Sequence, residues 1–400
     1  MRIVEHLLFS QFFTFLAVVG GVSQWLLVCW LGGPLGLAVP GWVHVLAPLA
    51  LSGANRLATL RIDAERDASF VGRGSRALLA SAFAAIAGAG TLVAFAAVWL
   101  ALSSLGVFAA DARATVAALV TPAFDPGSRI VATMAVLLAG GAVAHGYVWG
   151  QKALGITHVP VPVAGLPAAL AGLRIVHLSD LHLGALLDRD ALRAALAEVA
   201  VLEPDLVLVT GDLADSPATD LDAWMPELAC VTARHGVYAI LGNHDRHAGA
   251  ERVAAALARH TRWHLLRDQV ATLTIDGARL HLVGLEDRRR SEAADALPAL
   301  LAQLPAGEPA VLLAHRPTVF PVAAELGVPL TLSGHTHGGQ VAVPGLPRLN
   351  PARLLMTAYD VGTFRRGGSV LHVSRGLGTS GQPVRVAVPR EITVVSLVAA

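Results

Sequence analysis

The sequence predicts a two-part protein: an all-α membrane domain of about four helices over residues 1–150, then a layered α/β domain over 151–400. Three observations lead there. Long runs in the N-terminal third carry almost no formal charge. From Arg174 onward, short apolar runs alternate with helical spacing, the pattern of an α/β layered domain. Five of those short runs end in Asp, Asn or His, at the place where open α/β sheets bind their ligands.

Composition agrees with a part in the bilayer. Of the 400 residues, 54% are hydrophobic and 15% charged, against roughly 25% charged in ordinary soluble domains. Mean hydropathy is +0.59. A net charge of +1 argues against a nucleic-acid binder working by bulk electrostatics. The only cysteines are Cys29 and Cys230, which implies no disulfide framework.

Residues 7–31 are uncharged and exceed the roughly 20 needed to span a bilayer. The run is longer than the core of a cleaved signal peptide and lacks its small-residue ending, so it reads as an anchor. Residues 35–51 form a shorter run with Pro40, His44 and Pro48, which either spans or re-enters. Residues 77–107 are rich in Ala and Gly, including Gly88 and Gly90, and suit close helix packing. Residues 130–149 complete the set. His44 and His145 fall in these runs and read as neutral interface residues. Arg56, Arg61, Arg66, Arg73 and Arg76 lie between the second and third runs, against Arg113 and the flanking Arg129 between the third and fourth. The positive-inside rule places that loop and the C-terminal domain in the cytoplasm, with the N-terminus there as well where the second run spans and outside where it re-enters.

In the C-terminal part, residues 156–163 suit an edge strand, where prolines are tolerated. A strand over 174–178 is closed by Ser179-Asp180-Leu181-His182, and one over 205–209 by Thr210-Gly211-Asp212. A third, over 237–241, is closed by Gly242-Asn243-His244-Asp245. Strand 310–313 ends at Ala314-His315, and strand 328–332 runs into Ser333-Gly334-His335-Thr336-His337. Helices are expected over 188–202, with Asp188 as N-cap, and over 221–234, 250–260 and 292–304. Further strands are expected near 263–266, 271–275, 280–285, 370–373 and 392–398.

The strand ends deliver Asp180, His182, Asp212, Asn243, His315, His335 and His337, with His244 beside them. No cysteine is among them, so a closed thiolate zinc site is excluded. Imidazole, carboxylate and amide oxygen together suit Mn, Fe, Zn or Ni. Seven donors are too many for one catalytic ion and suit two ions sharing a carboxylate. Such a pair, about 3.5–4 Å apart, is the usual clamp for in-line displacement at phosphorus.

Asp-Leu-His, Gly-Asp, Gly-Asn-His-Asp, a lone His and Gly-His-Thr-His, in this order, resemble the calcineurin-like metallophosphoesterases. The wording His177-Leu178-Ser179-Asp180-Leu181-His182, Gly334-His335-Thr336-His337-Gly338-Gly339-Gln340 and Ser374-Arg375-Gly376-Leu377-Gly378-Thr379-Ser380-Gly381 resembles the membrane-associated bacterial YkuE/YaeI type. The resemblance implies an αββα sandwich of mixed sheets and a phosphohydrolase cutting phosphomono- or phosphodiesters with a dinuclear centre and bridging hydroxide. It implies one ion on Asp180, His182 and His337, a second on Asn243, His315 and His335, and Asp212 between them. His244 would contact the phosphate and protonate the leaving oxygen, with Asp245 orienting it.

The membrane part favours a lipid-linked substrate, with a UDP-diacylglucosamine-type pyrophosphatase as one version. The expected partners are a phosphate ester and membrane lipids, without nucleic acid or an obligate protein. A rival from another class is a membrane sensor or scaffold with a structural metal site. Arg375 is either a substrate contact or half of a structural ion pair, and His247 is a second candidate contact. Arg288-Arg289-Arg290 reads as a solvated or lipid-facing run, and His177, His281 and His372 as packed strand residues.

Overall fold

Two six-stranded mixed sheets frame the C-terminal part of the computed structural model, which describes residues 2–32, 40–64, 126–184, 186–381, 383–400 and most of 74–90. The chain divides into two units, Met1–Val148 and Trp149–Ala400.

In the second unit the first sheet runs β1-β12-β2-β3-β4-β5. Its strands are β1 (Leu154–Val163), β2 (Arg174–Leu178), β3 (Leu206–Thr210), β4 (Val237–Ile240), β5 (His264–Leu265) and β12 (Arg390–Ala399). From β2 to β5 they are parallel, and β12 joins antiparallel to β2 and parallel to β1. Pro160 and Pro162 thus sit on the edge strand that the sequence predicts.

The second sheet runs β10-β11-β9-β8-β7-β6. It consists of β6 (Gln269–Ile275), β7 (Ala278–Leu285), β8 (Ala310–Ala314), β9 (Leu330–Ser333), β10 (Gly362–Arg366) and β11 (Ser369–Val373). Strands β7, β8, β9 and β11 are parallel, and β6 and β10 close the edges antiparallel.

Alternation along each strand builds the layers. Leu206 and Leu208 of β3 turn into one core with Leu282, Leu313 and Leu332, so that core lies between the sheets. Val207 and Val209 face the other way and pack with Leu192 and Val199 of the helix Arg189–Val201 and with Val253 and Leu257 of the helix Asn243–His260. Beyond the second sheet, Val283 and Leu312 pack with Ala293 and Leu297 of the helix Arg290–Leu301. The order is helix, sheet, sheet, helix. Parallel strands covered on both faces read as continuous apolar runs, which is why the sequence located them.

Local differences have local causes. The helix expected over 221–234 is a short α-helix, Leu221–Trp224, followed by a 3-10 helix, Met225–Cys230. Pro226 has no N–H to continue an α ladder. The helix expected over 250–260 begins at Asn243, with a non-helical break at Gly249, so the Gly-Asn-His-Asp turn runs straight into it. Strand β10 and the helices Phe320–Glu325 and Pro351–Leu355 were not expected.

In the first unit the described helices include Arg2–Gly32, Val43–Ala64 and Pro126–Val148. Buried Asn55 donates from Nδ2 to Gln24 Oε1 at 3.0 Å, and Gln24 Nε2 donates to Ser81 Oγ at 2.9 Å. Trp25 Nε1 donates to His44 Nδ1 at 3.3 Å, consistent with a neutral interface histidine. Among the described residues one stretch, Thr133–Lys152, is long and apolar enough to cross a membrane, where the sequence predicts about four. Thr14–Cys29 and Ala80–Gly90 are shorter apolar helices. The helix Val43–Ala64 extends past its apolar run and takes in Arg56, Arg61 and Asp63. Most of the run expected over 77–107, with Arg66, Arg73, Arg76 and Arg113, lies outside the described residues.

Candidate metal centre

The carboxyl ends of β2, β3, β4, β8 and β9 bring the predicted ligands into three overlapping groups. These are Asp180 with His182 and His337; His182 with Asp212 and His244; and Asp212 with His315 and His335. Asp212 Oδ2 is the hub, 3.6 Å from His182 Nε2 and 3.2 Å from His315 Nε2. His337 Nε2 is 3.0 Å from His182 Nε2 and 3.4 Å from Asp180 Oδ1. Asn243 Oδ1 lies 3.1 Å from His315 Nε2. The rings of His315 and His335 meet edge to face at 5.1 Å.

The donor chemistry fits cations. His315 donates from Nδ1 to the Thr210 carbonyl at 2.7 Å, so a neutral ring has only a lone pair at Nε2. Yet Nε2 faces two acceptors, Asp212 Oδ2 and Asn243 Oδ1. Only a proton or a metal ion reconciles them. Without metal the proton wins: burial opposes it, but Asp212 overrides burial and lifts His315 to about 10.

His182 repeats the pattern, donating from Nδ1 to Asp215 Oδ1 at 3.0 Å and facing His337 through Nε2. Burial pulls the His182 pKa down and Asp215 and Asp212 raise it above the ordinary value. Burial and the neighbouring His182 hold His337 well below its ordinary value, and its buried Nδ1 has no hydrogen-bond partner. Burial pushes the Asp180 carboxyl up. Burial would raise Asp212 as well, but His315 and His244 hold it well below the carboxylate range.

The backbone is bent to serve this cluster. Asp180, His182, Asp212, His335 and His337 all have positive φ, between 46° and 71°. Left-handed non-glycine residues cost about 1–3 kcal/mol each and collect at functional sites. Close approach explains two glycines. A Cβ on Gly334 would collide with Ser179 Oγ and Asp180 Oδ2, and one on Gly242 with the Asp212 carboxylate.

His244 projects from the same turn. Its backbone N–H donates to Asp212 Oδ1 at 2.8 Å, its Nδ1 donates to the Asp215 carbonyl at 2.8 Å, and its Nε2 lies 3.4 Å from Ser380 Oγ. Asp245 bears on the His244 turn through the backbone and not through the imidazole ring. Its carboxylate accepts from the backbone N–H groups of Leu213 at 3.1 Å, Ala214 at 2.8 Å and Gly242 at 2.9 Å. It staples the Gly-Asn-His-Asp turn to the Asp212 loop, while Asp215 holds the His244 ring.

Arg375 belongs to a structural ion pair, donating to Glu391 Oε1 at 2.6 Å and Thr157 Oγ1 at 2.9 Å. His247 is half-buried in the helix Asn243–His260, before its break. Arg288 is half-buried and pairs with Asp268, while Arg289 and Arg290 are exposed, as expected of that run. His177, His281 and His372 are buried within strands, as expected. Sequence reasoning missed Asp215, whose only local sign is its place three residues after Asp212. It also missed Arg316, which donates to Asp287 Oδ1 at 2.7 Å and brings its Nη1 to 3.3 Å from His335 Nε2.

A family model of the calcineurin-like phosphoesterases matches residues 173–339. The chain is 29% identical over 265 residues to the metallophosphoesterase YkuE of Bacillus subtilis, covering 65% of this chain and 91% of that protein. It is 30% identical over 287 residues to a transmembrane protein with metallophosphoesterase domain of Danio rerio, covering 68% of this chain and 63% of that one. A Campylobacter jejuni metallophosphoesterase is 32% identical over 238 residues, covering 58% of this chain and 61% of that one. The chain spans somewhat under two thirds of the length of these last two relatives. Residues 173–339 therefore carry a calcineurin-like metallophosphoesterase domain, which the chain shares with relatives named as metallophosphoesterases.

Proposed function

We propose that the chain is a membrane-anchored, metal-dependent hydrolase of phosphomono- or phosphodiesters, working with two divalent ions. The observation that carries this reading is Asp212 Oδ2, set between His182 and His315 with acceptors facing both imidazoles. Asp180, His182 and His337 would hold one ion, and Asn243, His315 and His335 the other, with Asp212 shared. Bound Mn, Fe, Zn or Ni would supply the charge that activates water and neutralises phosphoryl oxygens.

The protein's own groups do the rest. Asp215 and the Thr210 carbonyl fix the tautomers of His182 and His315, so each presents Nε2 to the site. The Asp215 carbonyl fixes the tautomer of His244, whose Nε2 can carry a proton to the departing oxygen. Asp245 positions His244 through the backbone.

The finer reading is a multi-pass anchor of about four helices, a cytoplasmic catalytic domain and a lipid-linked phosphodiester or pyrophosphate substrate of the UDP-diacylglucosamine kind. The apolar stretch Thr133–Lys152 and relatives named as transmembrane proteins support the anchor.

The test uses purified full-length protein loaded with Mn²⁺ and a generic aryl phosphate diester. Hydrolysis is expected, falling at least about 10²-fold in Asp212→Asn and in His244→Ala. Normal rates in both variants refute the site. No hydrolysis by the loaded wild type favours a sensor or scaffold with a structural metal. A reporter fused after Ala400 is expected to read cytoplasmic.

A further inference from the structure

Directly after His337 the chain makes a loop that contradicts ordinary burial. Val343, Leu346, Leu349, Leu354, Leu355 and Met356 are all exposed, Leu354 at 72% and Leu355 at 84%. Elsewhere among the described residues of the unit, the exposed large apolar residues are scattered singly, at Trp149, Ile156, Val201 and Leu326. Six exposed large apolar side chains within residues 343–356 are a concentration that marks an interaction surface.

The loop is built rather than loose. Its root, Asn350, is buried and donates to Asp360 Oδ2 at 2.6 Å, and its Oδ1 caps the helix Pro351–Leu355 through the Arg353 N–H at 2.9 Å. That root presses on Gly339, where an added Cβ would meet Asn350 Oδ1 at 2.9 Å and Pro351 Cδ at 3.0 Å. Gly339 closes the 3-10 turn His337–Gly339 that carries the metal-facing His337. The next residue, Gln340, exchanges two hydrogen bonds with the backbone of Ser380, which lies beside His244. The polar root is therefore fixed to the site, and the apolar tip is turned to the outside.

Charge identifies the occupant. Residues 341–368 hold Arg348, Arg353, Arg365 and Arg366 against a single acid, Asp360. Asp360 is buried under Asn350 and Arg353, and the exposed Glu325 pairs with Arg366 at 2.9 Å. Arg348 lies over the Phe364 ring at 5.9 Å. Exposed leucines among arginines suit an anionic bilayer surface, with apolar side chains entering the acyl boundary and guanidinium groups at the headgroups. The chain also holds a stretch long and apolar enough to cross that bilayer.

We propose that residues 343–356 are a membrane-docking loop that inserts into an anionic lipid surface and sets the metal centre at the headgroup layer. This deepens the phosphohydrolase reading, because a site held there takes phosphate esters from the bilayer. Docking itself does not depend on that reading.

The test is made on the full chain, with Cys29→Ala and Cys230→Ala and an NBD fluorophore on Leu355→Cys. The labelled protein is reconstituted in phosphatidylcholine bilayers with or without phosphatidylglycerol. Leu355 is exposed, so the label leaves the core alone. Blue-shifted emission quenched by doxyl-labelled lipid is expected, about threefold stronger with phosphatidylglycerol. Arg348→Glu combined with Arg365→Glu should remove that gain, and a label on Val201→Cys should stay water-like. Water-like, unquenched emission at 355 overturns the proposal. So does a blue shift that tracks protein density but ignores doxyl lipid, which would mean a second copy covers the loop. Hydrolysis of a soluble aryl phosphodiester by the same preparations reads the phosphohydrolase assignment separately.

Discussion

Asp245→Asn separates a residue that acts on the backbone from one that acts on a catalytic ring. Burial and nearby Asp212 push its carboxyl up to about 6, against the pull of three backbone N–H bonds, so above pH 7 it is ionised. One oxygen serves Leu213 and Gly242 and the other serves Ala214. Asparagine keeps one oxygen and turns an NH₂ toward an N–H that needs an acceptor. Two bonds fall from charged to neutral strength, losing about 1 kcal/mol each, and an orphaned buried donor costs about 1–3 kcal/mol more. The turn should therefore loosen by about 3–5 kcal/mol, at about tenfold per 1.4 kcal/mol. Hydrogen exchange of the full chain reads this directly: the amides of Leu213, Ala214 and Gly242 should exchange at least ~100-fold faster. Turnover should fall with them, because small displacements of a catalytic group can cost about 10²-fold. If activity falls while those amides keep wild-type protection, Asp245 acts on His244 itself and the backbone role is wrong.

Three further outcomes are expected. Asp215→Ala removes the acceptor that orients His182 and should weaken Mn²⁺ binding by about 10–100-fold in a calorimetric titration; unchanged affinity would sink its orienting role. Arg375→Ala should cost about 3 kcal/mol of stability, by stranding the buried Glu391 carboxylate, while leaving KM for a soluble diester near wild type; a large rise in KM with normal stability would restore the substrate-contact reading. Burial, with His372 beside it, lowers His177 from 6.5 to about 3. Between those values the unfolded chain holds a proton the native chain does not. Stability present above pH 6.5 is therefore lost as pH falls, by about 1.4 kcal/mol per unit and about 2 kcal/mol by pH 5. His177→Gln should flatten that part of the pH profile in denaturation experiments, and an unchanged slope would refute it.

Much of the site was legible because its ligands sit at strand ends. Strands β2, β3, β4, β8 and β9 were located within about two residues, and each ends at its predicted ligand. The partners of Asp245 and Arg375 were not, since folding sets them. Asp245 reaches back 32 residues to the Leu213 N–H, and Thr157, which shares Arg375, is 218 residues away from it. The membrane part was legible as composition only. Apolar runs state where water is unfavourable, but the helix Val43–Ala64 follows backbone hydrogen bonding beyond its run and into charged residues.

By itself, then, the sequence determined the change from apolar runs to an alternating α/β pattern, the places of the ligand-bearing strands along the chain and the Asp, Asn and His side chains at their ends. Periodicity and residue chemistry are local properties, carried by neighbours along the chain. Tertiary structure alone decided that Asp212 Oδ2 stands between two imidazoles, that five ligand candidates adopt left-handed backbone, and that the leucines after His337 face outward. Each of these depends on which groups approach from distant segments. Burial and hydrogen-bond satisfaction are settled only when those segments meet.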